Sequence, residues 1–300
     1  PRGSSSRAKR SKKQQQGTSE GIPCLLLLSM GCCCSLPTPA TSEAADALLA
    51  GYDAGAQFSV ARVDSDEHAL WAGAIDALAQ AFCGTASKAS FPPFGWIYSG
   101  ETETGPLPAA PTPERAAWFK WYLALCAHVC VNRGGLYALV DDASGKVVSA
   151  AGVVPPGAPT SMGGWEYMKV TGRPQMKQLG PATGPEAPGW GGRDGTLEKA
   201  MAEASSSLAP GDHLHVLLFG TCPESQGTGA GSALLSFVTA LADADGVPAY
   251  LESGGDSPGF FAAKGGFEEV RRVALVDKKS TSYEAGGGMC CMLRKKQSFA

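Results

Sequence analysis

The sequence is poor in the residues that most often announce chemistry. Of 300 residues only four are histidine (His68, His128, His213 and His215), and its ten cysteines include no C-x-x-C pair. A structural zinc site needs four ligands in tetrahedral geometry. The one local group, Cys126, His128 and Cys130, lies in a strongly apolar helical stretch and reads as core packing, so no metal is expected. Cysteine this sparse in a long chain fits a reduced protein, with an intracellular, cytoplasmic location expected. No apolar run reaches the roughly 18 residues of a membrane-spanning helix. Lysine is missing from Met201 to Ala263, which excludes a Walker phosphate loop in that stretch. Net charge is also small, at −3, but unevenly spread. Six of the 25 basic residues and one of the 28 acids fall in the first 29 positions, leaving a net −8 for the remainder. A body this acidic argues against nucleic acid as a partner, because phosphate binding needs a basic face.

What the chain does have is a 44% hydrophobic content, enough for a packed core. It also has 39 Gly and 21 Pro, one residue in five, so long irregular stretches must separate its elements. Residues 1–56 read as a disordered, targeting or lipidated segment, and residues 57–297 as a single domain. The segment opens with a Ser, Lys, Arg and Gln rich stretch, followed by an apolar run over Ile22–Leu28. That is the order of a secretory or organelle leader, or else of a low-complexity extension. Met30-Gly31-Cys32-Cys33-Cys34-Ser35 fits the N-myristoylation pattern, with cysteines adjacent for palmitate. Membrane association is therefore expected only if translation starts at Met30 and Gly31 is acylated.

Hydrophobic spacing predicts a strand at Phe58–Val63, a helix over 67–82 and a Pro-rich loop over 84–113. A second helix runs from Thr112-Pro113, with Pro in its first turn, to about Asn132. Two strands, Leu136–Val140 and Lys146–Val154, form a hairpin around Asp141–Gly145. Residues 155–193 are Gly and Pro rich, with structure expected only over Met168–Leu179, and a short helix follows over Gly195–Leu208.

The informative segment is His213-Leu214-His215-Val216-Leu217-Leu218-Phe219-Gly220-Thr221-Cys222-Pro223-Glu224-Ser225-Gln226-Gly227-Thr228-Gly229-Ala230-Gly231-Ser232, continued by an amphipathic helix to about Ala244. It reads as strand, turn, glycine-rich loop, helix. Glycines let backbone approach a ligand closely, and a helix start offers unpaired N–H groups and the positive end of its dipole. An anion, best a phosphate, is expected over Gln226–Ser232. A dinucleotide-binding loop is the competing reading. It wants its first glycine directly off the strand, whereas Pro223–Gln226 intervene here and its third glycine would fall on Ser232.

This segment resembles the pyrophosphate loop of the GNAT family, the Gcn5-related N-acetyltransferases. The family signature [RQ]-x-x-G-x-[GA] is met by Gln226-Gly227-Thr228-Gly229-Ala230-Gly231. A following strand Ala249–Glu252, Gly266-Phe267-Glu268 opening a late strand over Glu269–Val276, and a closing strand near 288–294 extend the match, which is specific over 213–267 and topological upstream. The resemblance implies an α/β (α+β) GNAT fold, with a mixed central sheet splayed at an acetyl-CoA notch and helices on its flanks. It implies that Phe219, Gly220 and Thr221 pair with the pantetheine arm, and that Gln226, Gly227, Gly229, Ala230, Gly231 and Ser232 hold the pyrophosphate. It implies acetyl-CoA as co-substrate and direct transfer to an amine, on a small molecule or a peptide. Such transfer needs a base for the amine and an acid for the leaving thiolate.

The catalytic positions depart from the pattern. Aligned without gaps, the family's asparagine falls on Gly255 and its tyrosine, the thiolate acid, on Ala262. Tyr250 is the leading substitute acid, with Tyr283 behind it, and Cys222 reads as a strand residue. His215 is the leading base, having the right intrinsic pKa, with His213, Glu224 and Glu252 as neighbours. Loss of the tyrosine also admits a different class, a catalytically weak or inactive GNAT-fold module that binds CoA for regulation or scaffolding.

Overall fold

The computed structural model describes residues 41–84, 91–100, 111–179, 190–255, 257–276, 282–283 and 288–297. The leader, its Ile22–Leu28 run and the Met30-Gly31 motif lie outside the described residues, so acylation is not addressed by them.

Seven strands form one sheet in the order β1-β2-β3-β4-β5-β9-β6. β1 (Phe58–Arg62), β2 (Leu136–Asp141), β3 (Lys146–Val154) and β4 (Leu214–Thr221) pair antiparallel in succession. β5 (Ala249–Ser253) joins β4 in parallel, and β9 (Met289–Arg294) then pairs antiparallel with both β5 and β6 (Glu268–Val273). A parallel neighbour needs a crossover element, supplied here by α8 (Ala230–Ala244). The mixed sheet with helices on both faces is the architecture the resemblance implies.

Period-two burial along the central strands feeds two cores. On one face, α2 (Trp71–Cys83), α3 (Pro92–Ser99), α4 (Pro113–Val131) and α7 (Trp190–Leu208) pack an aromatic-rich core with Trp96, Trp118 and Phe119 at its centre. On the other, α8 lays Leu234, Phe237, Val238 and Leu241 against the sheet. Two shorter helices, α5 (Gly164–Thr171) and α6 (Pro174–Leu179), contact α4. Cys130 and His128 are fully buried within the first core, as the packing reading expects. Among the described residues no group of three metal-ligating side chains occurs.

The structure departs from the sequence reading at four places. A helix, α1 (Thr41–Gly51), lies ahead of Gln57: Ala45 is buried, Leu48, Leu49 and Tyr52 pack on the α8 side, and the Tyr52 hydroxyl donates to Ala233 O. The expected loop 84–113 contains α3, because Pro92 and Pro93 occupy the first helical turn, where a missing N–H costs nothing. Gly100 closes that helix at φ 74°, its N–H bonding to Trp96 O. α7 starts at Trp190 rather than Gly195, carrying three glycines that would weaken an isolated helix. It is held by Arg193, whose Nε and Nη2 donate to Ile97 O of α3 at 3.0 and 2.7 Å. Asp194, next along, accepts the Tyr122 hydroxyl of α4. Finally, the late strand expected to reach Val276 breaks after Val273, and β7 (Leu275–Val276) pairs with β8 (Ser282–Tyr283) in a separate ribbon.

Candidate active site

β4 and β5 are paired at only three positions, Leu214 with Ala249, His215 with Tyr250, and Val216 with Leu251. Beyond them the strands part. The cause lies in β4: Gly152 of β3 faces Leu218 while the next residue, Val153, faces Val216, so Leu217 is the extra residue of a β-bulge. A bulge bends and twists its strand, turning β4 away from β5. On its β5 side the backbone from Leu217 to Thr221 has no strand partner, and a cavity of about 580 Å³ opens there.

The loop from Cys222 to Gly229 closes one end of this cavity. Gly227 and Gly229 have φ values of 82° and 99°, a region costly to side chains bearing Cβ. Gly229 is the residue that caps α8, so the first amides of that helix point toward the cavity's end without intrahelical acceptors. Gln226 ties loop to strand, its Nε2 donating to Thr221 O at 3.1 Å. Gly231 is needed for approach, since a Cβ there would lie 2.9 Å from Thr221 Oγ1. Of the expected cofactor-binding residues, Phe219, Gly220, Thr221, Gln226, Gly227, Gly229, Gly231 and Ser232 all line the cavity. Ala230 does not, being fully buried in the α8 packing. Lys264 enters the wall from α9 (Ser257–Gly265), together with Ser257, Phe260 and Phe261 at helical spacing.

At the narrow end of the opening the catalytic candidates sort themselves by position. His215 is 2% exposed and does not line the cavity. Its Nε2 lies 2.8 Å from Glu252 Oε2; a carboxylate only accepts, so the ring nitrogen donates. Glu252 does line the cavity, with a side chain 4% exposed, and its Oε1 has no hydrogen-bond partner. The carboxylate thus stands at the wall beside the histidine, with Oε2 held by the ring and Oε1 buried without a hydrogen-bond partner. His213, the other strand histidine, is spent on structure: Nδ1 bonds to Gly211 O and Nε2 to Ser205 of α7. Burial also lowers its pKa.

Tyr250 is fully buried and absent from the wall. Burial, with Glu252 adding to it, pushes its phenol far above the ordinary tyrosine range. The expectation for Tyr250 is corrected on position: in β5 it points into the helix-covered core and does not line the cavity. The Tyr283 side chain lies outside the described residues. Cys222 is buried, with its thiol pushed up to about 11 by burial, and Glu224 is exposed; neither lines the cavity. Ala262 is exposed and outside the wall, while Phe261, one residue earlier, is in it. Gly255 adopts φ 57° with Pro92 packed beside it. Ser253 Oγ is the hydroxyl the sequence reading missed: it belongs to a residue of the wall, is buried and has no partner. Strand alternation alone gives no sign of it, since its value comes from the parting of β4.

No family model matches the chain, and no curated protein is similar to it in sequence. Among solved structures it is similar to a Corynebacterium glutamicum protein described as "histone acetyltransferase HPA2 and related acetyltransferase". They share 17% identity over 81% of this chain and 98% of that one, with a TM-score of 0.43. Arylalkylamine N-acetyltransferase 2 from Aedes aegypti shows 11% identity over 79% and 98%, TM-score 0.46. A Drosophila melanogaster polyamine N-acetyltransferase shows 14% over 79% and 98%, TM-score 0.41.

Proposed function

We propose that this GNAT-fold chain is an acyl-CoA-dependent N-acetyltransferase, transferring acetyl directly from acetyl-CoA to an amine. One observation carries the reading: the parted parallel pair holds helix-start amides at one end and a buried carboxylate with a free oxygen at the other. The first suits a pyrophosphate and the second an ammonium. Between them, the unpaired β4 edge suits the amides of a pantetheine arm, which would lie along it as an added strand.

The transfer follows from that placement. Glu252 Oε1 takes a proton from the ammonium, and the free amine attacks the thioester carbonyl. A C–N bond forms and the C–S bond breaks; the nitrogen's second proton passes by way of Ser253 Oγ to the departing sulfur, and the products are the acetamide and CoA thiol, with the first proton left on Glu252. His215 holds the carboxylate in place through Oε2 and is a positioning residue. The developing oxyanion would be met by a backbone N–H at the Leu217 bulge. Ser253 Oγ, a buried hydroxyl of the wall without a partner, would donate to the leaving sulfur. Thiolate is a fair leaving group, so a weak donor suffices where the family tyrosine is missing.

The test is incubation with acetyl-CoA and an amine panel, following free thiol release, alongside calorimetry with CoA. Amine-dependent thiol release together with CoA binding is the expected result. CoA binding without turnover on any amine would favour the CoA-binding module, for which Ala262 and Gly255 speak. No CoA binding would end both readings.

A further inference from the structure

We propose that the acceptor is a monocationic amine carried on an apolar body about the size of a benzene ring, and that diamines, polyamines and basic peptides are poor acceptors. The inference rests on the acetyltransferase reading for the acceptor being an amine, and goes further in naming its class.

The cavity has two ends of unlike chemistry. The glycine-loop end carries amides and Lys264, the one cationic side chain among the described lining residues. Where the wall meets the core of α2, α3, α4 and α7 it is apolar, with Phe82 of α2, Phe91 and Phe94 at α3, Leu197 and Met201 of α7, and Met289 of β9. The three phenylalanines touch one another. Phe82 and Phe94 are stacked at 5.3 Å, and Phe91 meets each of them edge-on at 5.1 Å. A fixed set of ring faces and edges accepts another ring or a compact alkyl group. This wall is braced rather than loose. Arg193 clasps α7 to the end of α3, and Pro92 at the head of α3 abuts the turn after β5, 3.7 Å from where a Gly255 Cβ would stand.

Charge selects as strongly as shape. Glu252 is the only carboxylate among the described lining residues, and one carboxylate matches one ammonium. The second cation of a diamine would lie among apolar groups without a counter-charge, which is expensive. The nearest further acids, Asp194 and Glu198 of α7, do not line the cavity. Asp194 is fully buried and already accepts the Tyr122 hydroxyl. Burial pushes Asp194 up to about 6, and burial with Asp194 pushes Glu198 up to about 7, so Glu198 carries only a partial charge at neutral pH.

The experiment compares 2-phenylethylamine, hexylamine, cadaverine, spermidine and a lysine peptide on the full chain. Each is measured in two ways: binding to the CoA-saturated protein by calorimetry, and kcat/KM by thiol release. Phenylethylamine should surpass cadaverine by about 10- to 100-fold in both, the range set by burying one aromatic side chain. Met201→Glu, a half-buried wall position on α7, adds a second carboxylate and should move that ratio at least about tenfold toward cadaverine. Cadaverine or spermidine binding the wild type as well as phenylethylamine overturns the inference, as does a folded Met201→Glu protein whose ratio is unmoved. If the binding order holds but no amine is acetylated, the acetyltransferase reading falls and the ligand class stands.

Discussion

Glu252→Gln separates the carboxylate's chemistry from its packing. The two side chains have the same shape, and a glutamine oxygen can still accept the His215 Nε2–H that Glu252 Oε2 accepts at 2.8 Å. The wall of the cavity and the β4–β5 pairs beside it should therefore survive, with stability changed by less than about 1 kcal/mol. What disappears is a proton acceptor and a negative charge. A positioned general base contributes a factor of about 10² to 10⁴, equivalent to roughly 3–5 kcal/mol of barrier. The expected result is a fall of that size in kcat, measured by thiol release at saturating acetyl-CoA, with CoA affinity unchanged by calorimetry. His215→Gln should lower kcat by about tenfold, as loss of a positioning group would. A Glu252→Gln protein that retains kcat within about threefold would refute the assignment, since that lies well below the range for a lost base.

Further outcomes can be measured separately. Gly229→Glu puts bulk and negative charge at the head of α8, where a Cβ meets nothing within 4 Å. CoA affinity should fall by about a hundredfold or more, while Gly229→Ala isolates the left-handed strain of about 1 kcal/mol; unchanged CoA affinity in folded Gly229→Glu would remove the phosphate site from this loop. Arg193→Met leaves the Ile97 carbonyl without its buried donors and should lower unfolding free energy by about 3 kcal/mol in denaturant titration; a loss under about 1 kcal/mol would mean that α3 and α7 hold without the clasp. His128 is held down to about 4 chiefly by burial, below its unfolded value. The unfolded chain therefore binds the proton first, and the native state loses stability as pH falls from about 6.5 toward 4, by up to about 3 kcal/mol. Asp194 and Glu198, raised to about 6 and about 7, act oppositely, being stabilising when protonated and losing that contribution as pH rises. The difference between wild type and His128→Leu isolates the histidine, and an equal acid slope in both would contradict its role.

Much of this fold could be read from the chain because its signals are local. The hairpin turn at Asp141–Gly145, the Thr112 cap that accepts from Arg115 N, and the strand-loop-helix at 214–244 each carry their own punctuation. Composition misled where tertiary anchors override propensity. The prolines of α3 and the glycines of α7 looked like breaks, yet Arg193 and Tyr122 bridge these helices through bonds over 70 residues apart in sequence. The candidate site was legible at its glycine loop, where the residue pattern encodes backbone shape. It was not legible at its catalytic end. Which of His215, Tyr250, Glu252 and Ser253 meets the cavity depends on where β4 leaves β5, and the Leu217 bulge that decides this has no sequence signature of its own.

The same parting makes the sheet two half-sheets stitched by three rungs. β1 to β4 form one plate, β5, β9 and β6 the other, with α8 as the strap between them. A ligand laid along the exposed β4 edge would act as the missing strand and so share in the cohesion of the whole molecule. Binding would then be read far from chemistry, as slowed amide exchange along Leu217–Thr221. It would also raise resistance to unfolding by about 2.7 kcal/mol at a hundredfold excess over Kd. On the proposed reading, the donor would complete the architecture in which it is consumed.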